Sequence, residues 1–307
     1  MVWDRAGRST PRFIVGIVAV LAATASLTCA SDGAPPGASE PAPVRIVSLL
    51  PQVTELLVAL GESDRLVGRI TSESDSVLRR LPDVGDPVTP NLELIARLNP
   101  DLVIGWKGAD AAGDLLELFG RERVWLTASE RLVDLWANLE HLGQILHREA
   151  GAEALAGRLR RELTLIEEAT VTRRAPGVLY VVWDDPPIAA GPGSFLHELI
   201  GIAGGRNVFA DLELAWPTVS FEGIVARDPD LVIRPVNDPD SAPLAERNGW
   251  KLVPAVRRGD VHVVDPELFA APGIRVVDAA RTLARAFHPT LRTSAILEPE
   301  PSMMEER

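Results

Sequence analysis

The residues able to do chemistry are few and badly placed for it. Five histidines (His141, His147, His197, His262, His288) and one cysteine, Cys29, are spread over 307 residues. His197-Glu198 is followed by Leu199-Ile200-Gly201, so it lacks the second histidine of a zinc-binding HExxH helix. His141 and His147 are six apart, which would set them on different faces of one helix and prevent them from sharing a metal. Gly191-Pro192-Gly193-Ser194 has the wrong spacing for a serine nucleophile elbow and reads as a turn. The sequence contains neither a GxxxxGK[ST] phosphate loop nor a GxGxxG after a strand. No catalytic residues and no metal site are therefore assigned. A secreted enzyme with residues brought together from distant positions is the alternative of another class. It would show a cleft of clustered ionisable groups with shifted pKa.

What the sequence offers instead is aromatic surface beside glycine or proline. Trp106-Lys107-Gly108 follows a predicted strand ending at Ile104, and Trp183-Asp184-Asp185-Pro186-Pro187 follows another. Trp216-Pro217 precedes a predicted helix, and Phe269 lies in the loop after His262-Val263-Val264. In open α/β sheets ligands bind beyond the carboxyl ends of the strands, so these loops would face a cleft. A tryptophan there supplies rigid apolar area and one N–H, which suits a large flat ligand. The competing reading is that each of these aromatics belongs to a core.

The elements that would position them fall into two halves. Arg45–Leu49 reads as a strand ended by Pro51, and Thr54–Leu60 as a helix stopped by Gly61. Asn91–Leu98 is a helix broken by Asn99-Pro100, followed by a buried strand at Leu102-Val103-Ile104. In the second half Val178–Trp183 is a strand, His197–Ala203 a helix closed by Gly204-Gly205, Phe221–Arg227 a helix broken by Asp228-Pro229, and Leu231-Val232-Ile233 a strand. The letters repeat too: LELIARLNPDLVI (92–104) aligns without a gap on FEGIVARDPDLVI (221–233), setting Glu93 on Glu222. A looser match pairs TELLVALG (54–61) with HELIGIAG (197–204), setting Glu55 on Glu198.

Between the halves, Leu132 to about Thr172 carries helical chemistry. Leu155, Leu159, Leu163 and Ile166 make one stripe, with Glu and Arg on the other faces. A helix of about 22 residues would be about 33 Å long, enough to bridge two lobes as a stiff rod and to limit hinge closure. A helix packed within one lobe is the alternative. The predicted fold class is α/β, with two Rossmann-like lobes joined by a single long interlobe helix. The expected organisation is an export signal peptide over 1–28, a flexible tether over 29–43, an N-terminal α/β lobe over 44–130, an interlobe helical segment over 131–174, a C-terminal α/β lobe over 175–289 and a disordered tail over 290–307.

The N-terminus reads as an address. Arg5, Arg8 and Arg12 precede the apolar run Phe13–Leu27, which is short for a membrane span and looks like an export signal. Cys29 follows at once, and a lone cysteine cannot close an internal disulfide. Ser26-Leu27-Thr28-Cys29 resembles a lipoprotein signal, in which Cys29 is lipidated and tethers an exported protein to a membrane. An ordinary signal peptide with an incidental cysteine is the alternative. The formal net charge of -12 argues against nucleic acid as a partner, because such a surface must neutralise phosphates.

The stretches VRIVSLLPQVTELLVALG, PNLELIARLNPDLVIGWKG, LAWPTVSFEGIVARDPDLVI and RRGDVHVVDPELF resemble the periplasmic binding proteins of ABC importers for vitamin B12, haem and iron–siderophores, and among them the cobalamin-binding members most closely. The resemblance covers about Arg45 to Pro289. It implies a corrinoid ligand, cobalamin or a relative, held between the lobes as cargo, with no cofactor. Pro51, Trp106, Trp183, Asp184, Pro187, Trp216 and Phe269 would line that site, with Asp184 as a polar partner. It also implies that Glu93 and Glu222 dock onto membrane subunits of the transporter, the pair that the repeat singles out. Haem or an iron–siderophore is the alternative ligand. A siderophore would call for several arginines, and the loops named here offer few. The chain departs from the cobalamin-binding members at Gly85-Asp86-Pro87-Val88, where they carry a further tryptophan.

Overall fold

The computed structural model describes residues 44–71, 78–236 and 242–291, all within the compact unit Pro43–Arg307. The export segment, Cys29, the tether and nearly all of the C-terminal tail lie outside the described residues.

The first lobe runs β1 (Ile46–Ser48), α1 (Pro51–Ala59), β2 (Leu66–Gly68), α2 (Leu92–Leu98), β3 (Leu102–Trp106), α3 (Ala112–Phe119), β4 (Val124–Thr127) and α4 (Leu132–Leu146). Then come α5 (Glu149–Thr170) and the second lobe: β5 (Gly177–Asp184), β6 (Pro187–Ala189), α6 (Phe195–Ile202), β7 (Arg206–Asn207), α7 (Phe221–Arg227), β8 (Leu231–Pro235), α8 (Pro254–Arg258), β9 (Val261–Val264) and α9 (Val276–Phe287). The sheets are ordered β2-β1-β3-β4 and, in the second lobe, β7-β5-β8-β9, with every one of these pairs parallel. The same order in the same sequence makes the lobes two copies of one plan. Among the described residues, only the short β6, antiparallel to the far end of β5, has no counterpart.

Parallel strands need helical crossovers, and helices on both faces bury them. Successive strand residues therefore enter different cores. Ile46, Leu102 and Ile104 face one core, whereas Val47 and Val103 face another. In the second lobe Val178, Tyr180, Leu231 and Ile233 join the first of these cores, and Leu179, Val181 and Val232 form a third. The core shared by both lobes is built from α1, α4, α5, α6 and α9, so the lobes are joined by a common apolar layer.

The axis of that layer is α5, a helix of 22 residues whose Leu155, Leu159, Leu163 and Ile166 are buried as the stripe predicts. It is tied to the first lobe at its start, where Arg148 Nε donates to Glu62 Oε1 at 2.5 Å. Burial alone would push the Glu62 carboxyl up, but hydrogen bonds from Arg148 and Arg65 outweigh it and hold the group below its ordinary value. Further along, Glu162 pairs with Arg281 of α9 at 2.9 Å, and Thr170 Oγ1 donates to the Ile202 carbonyl at 3.2 Å. The helical segment is not one run, however. His147 takes the left-handed conformation, φ 55°, and ends α4, so His141 and His147 do not lie along one helix.

The repeated unit is reproduced in detail. Asn91 and Ser220 cap α2 and α7, each side chain accepting from the backbone N–H three residues on. Asn99 and Asp228 end them in the left-handed region, at φ 45° and 43°, before the proline that forbids continuation. Asp101 Oδ2 then accepts from Arg45 N–H at 2.8 Å, and Asp230 Oδ2 from Gly177 N–H at 2.6 Å, pinning the start of each central strand. The pattern of exposure along 91–100 is the same, residue for residue, as along 220–229.

Candidate ligand cleft

Among the described residues, contacts that join the lobes outside the common core come from the segments and helices that follow the carboxyl ends of strands. Phe195 N–H donates to the Glu130 carbonyl, and Glu55 in the middle of α1 meets Arg275 just before α9. The carboxyl ends of the two sheets therefore face each other, which is where the aromatic residues were expected.

Trp106 is not in a loop: β3 continues through Gly105 to Trp106, its last residue, and the side chain stands 38% exposed. Its indole folds back over Gly108, where a Cβ would come within 2.7 Å of the ring, so any larger residue there would displace the indole. Trp183 and Asp184 likewise lie on an extended strand. β5 runs to Asp184, turns through the cis Asp185-Pro186 bond and returns as β6, with Asp184 opposite Pro187 and Trp183 opposite Ile188. Trp183 is 60% exposed, its Nε1 donating to the Asp185 carbonyl at 2.7 Å. Residues 215–219 add to the other edge of β6 through Gly191 N–H to Ala215, Ala189 N–H to Pro217 and Val219 N–H to Pro187. That brings Trp216, also partly exposed, to the same hairpin.

Three expected residues stand differently. Pro51 begins α1 at its first position, where its missing N–H costs nothing and its fixed φ suits the helix. Phe269 closes a short 3₁₀ turn, Pro266–Phe269, and is buried against Tyr180 with ring centroids 5.8 Å apart. It belongs to the core behind the second sheet, and burial there pushes the Tyr180 hydroxyl pKa up. Asp184 is engaged within the protein: Oδ2 accepts from Arg234 Nη2 at 3.0 Å and Oδ1 from Arg247 Nη1 at 3.1 Å. Its carbonyl accepts from Trp250 Nε1 at 2.9 Å.

Arg234 and Arg247 are what sequence reasoning missed. Arg234 is buried on β8 and also donates to the Ala242 carbonyl at 3.1 Å, whereas Arg247 is partly exposed in a cavity of about 260 Å³ lined by Asp184, Asp185, Glu246 and Asn248. The sheet end of the second lobe is thus charged beneath and aromatic at the rim, its arginines coming from β8 and the segment after it and not from the loops named from the sequence. Glu93 and Glu222 lie on α2 and α7, both exposed in the first helical turn, where a carboxylate is favoured by the helix dipole. Glu93 is paired with Arg97 one turn on. Among the described residues no cluster of metal ligands occurs and no helix is long and apolar enough to cross a membrane.

Two parallel-sheet lobes on a shared helical layer, with aromatic strand ends turned toward each other, define a two-lobed solute-binding protein. Residues 46–268 match the family described as Periplasmic binding protein. The chain is 28% identical over 257 residues to an uncharacterised ABC transporter substrate-binding lipoprotein, YvrC, of Bacillus subtilis, covering 80% of this chain and 81% of that one. It is 30% identical over 198 residues to the vitamin B12-binding protein of Photorhabdus laumondii, covering 62% and 70%. A periplasmic haem-binding protein from Pseudomonas aeruginosa is similar in structure, with a TM-score of 0.70 and 32% identity over 81% of this chain and 94% of that one. The chain belongs to the periplasmic binding protein family of the vitamin B12, haem and siderophore ABC importers. It is a substrate-binding protein of an ABC importer and not an enzyme.

Proposed function

We propose that this protein holds cobalamin or a related corrinoid between its lobes and delivers it to the membrane subunits of an ABC importer. The observation that carries the reading is the exposure of Trp106, Trp183 and Trp216 at the facing sheet ends of both lobes. A flat macrocycle needs apolar walls on two sides, and indoles fixed on strands provide them without ordering cost. Pro187 belongs to the hairpin that carries Trp183, while Phe269 packs on Tyr180 in the core behind that strand. Glu93 and Glu222 present the same charge from equivalent helices, which suits docking onto two like subunits carrying arginine. Cys29 is the residue through which the exported protein would be lipid-tethered, in the periplasm or at the cell surface.

Haem is the second reading, favoured by Arg247, partly exposed beneath the rim, since a guanidinium pairs with carboxylates such as those on a porphyrin edge. Calorimetric titration with cyanocobalamin and then haemin separates the two. The corrinoid reading expects cobalamin to bind at roughly -12 to -8 kcal/mol, nanomolar to low micromolar, with haemin silent. Haemin binding with cobalamin silent overturns the ligand and leaves the transport role.

A further inference from the structure

Four side chains that the ligand site leaves unused join the lobes reciprocally. Glu55, on α1 of the first lobe, pairs with Arg275 of the second, Oε1 to Nη2 at 3.1 Å. Glu198, on α6 of the second lobe, pairs with Arg131 of the first, Oε1 to Nη2 at 3.4 Å, and its other oxygen accepts from Leu132 N–H at 2.8 Å. The two pairs are copies of each other. Helix α1 follows β1 and α6 follows the β5–β6 hairpin, and the TELLVALG/HELIGIAG match sets Glu55 on Glu198. Arg131 and Arg275 each stand immediately before the helix that leaves the last strand of their lobe, α4 and α9. Each glutamate thus reaches across to the start of the other lobe's exit helix.

The surroundings repeat as well, with one informative difference. Phe195, first residue of α6, donates its N–H to the Glu130 carbonyl at 2.6 Å. The first residue of α1 is Pro51, which has no N–H to give. On that side the chain closes up by contact instead: a Cβ at Gly273 would lie 3.1 Å from the Gln52 Cβ, so glycine lets the backbones approach.

We infer that Glu55–Arg275 and Glu198–Arg131 are a reciprocal clasp that sets the angle between the lobes, and with it the width of the cleft. The shared core of α1, α4, α5, α6 and α9 keeps the lobes together, but apolar packing is non-directional and does not by itself fix a small rotation of one lobe on the other. Two ion pairs, one on each lobe's strand-end face, fix that rotation where a single pair would act as a pivot. All four side chains are partly exposed, at 41% and 21% for Arg275 and Glu55 and 54% and 25% for Arg131 and Glu198, so each pair is individually weak. A weak pair suits a joint that must yield when ligand enters or leaves. The inference is independent of which ligand binds.

The test is a distance distribution in the full chain without ligand. Val88→Cys and Leu214→Cys carry spin labels at exposed sites, one on each lobe, with Cys29→Ser removing the third thiol. Pulsed dipolar spectroscopy is expected to give one narrow population in the otherwise unaltered chain. Glu55→Gln and Glu198→Gln should each move the ratio of a second, displaced population by roughly two- to fivefold, and together by about the product. The Gln at 198 keeps an acceptor for Leu132 N–H. The exchange Glu55→Arg with Arg275→Glu should restore the narrow distribution, which a general loss of packing would not do. Raising salt to ~1 M, where the Debye length falls to about 3 Å, should broaden the labelled chain's distribution in the same direction and needs no substitution at the clasp. An unchanged distribution in the double variant, or one indifferent to salt, overturns the clasp.

Discussion

Helix α1 starts at the third residue beyond Ser48, whereas α6 starts at the fifteenth beyond Tyr180, the residue that holds the same place in the second sheet. The first lobe turns at once from strand to helix. The second extends β5, folds it back as β6 and only then enters its helix. That extra chain carries Trp183, Asp184 and Pro187. A second departure sits on the neighbouring strand, where Gly105 and Trp106 of β3 correspond to Arg234 and Pro235 of β8. Up to that point the two lobes match in cap, helix length, break and exposure. The proposed ligand walls therefore lie where the repeat fails, and the proposed docking glutamates lie where it holds. Two like transporter subunits would require sameness of the lobes. A ligand without a two-fold axis requires difference.

The largest expected effect is on the lobe-two departure itself. Asp184→Ala leaves Arg234 buried without its carboxylate, and breaking one half of a buried pair costs about 3–5 kcal/mol. Denaturant unfolding checks this; a loss under ~1 kcal/mol would mean that the Ala242 carbonyl suffices to hold the guanidinium. Next come the exposed indoles. Trp183→Ala and Trp106→Ala should each weaken ligand binding by about 2–4 kcal/mol while leaving stability nearly unchanged, as befits side chains that stand in solvent. Calorimetry with each variant then tells whether both lobes supply walls. An effect confined to Trp183 would assign the ligand to the hairpin alone.

The departures were the least legible part of the sequence, for physical reasons. Helices α2 and α7, with their strands, announce themselves through local chemistry: a capping Asn or Ser, a four-residue period and a proline break. The buried stripe of α5 is also a local pattern. Asp184 and Arg234, by contrast, are 50 residues apart, and Asp184 and Arg247 63 apart, so only the folded sheet brings them together. Asp184-Asp185-Pro186-Pro187 reads as a plain turn because nothing in it shows that Trp183-Asp184 and Pro187-Ile188 pair across it. Trp106 reads as a loop residue because the run of buried apolar letters ends at Ile104, although Gly105, beneath Leu115 and Leu126, is a packing residue. Phe269 shows the converse: an aromatic in a loop carries no signal of which way it faces. The start of α1 was within reach, since proline is favoured at a first helical position.

Acid should loosen the first lobe's hold on α5. The Glu62 carboxyl is held below its ordinary value in the folded protein, so the unfolded chain binds the proton first as pH falls. The stability it contributes is complete above about 4.5, the ordinary value, and is lost as pH drops through the lowered folded one. Unfolding followed from pH 6 to 3 should show Glu62→Gln already weakened at the upper end and less sensitive to acid than the unaltered chain (~1–3 kcal/mol at the upper end, the cost of a charged hydrogen bond). Identical slopes for the two would remove Glu62 from the acid response.

The smallest effects test whether the lobes are equal where they look equal. Asn91→Ala and Ser220→Ala each remove one cap hydrogen bond from a helix of seven residues and should each cost about 1 kcal/mol. Asn99→Gly and Asp228→Gly each put the residue that tolerates positive φ at a left-handed helix end, and should each stabilise by under ~1 kcal/mol, since the gain is offset by the freer unfolded chain. Thermal unfolding of the four variants is the measurement. Because both helices lie over cores separate from the shared one, on Ile95 in one lobe and Ile224 in the other, each pair of counterparts should give the same change within about 0.5 kcal/mol. A clear inequality would mean that one lobe opens before the other, and a lobe that opens first would make its strand end the mobile wall of the cleft.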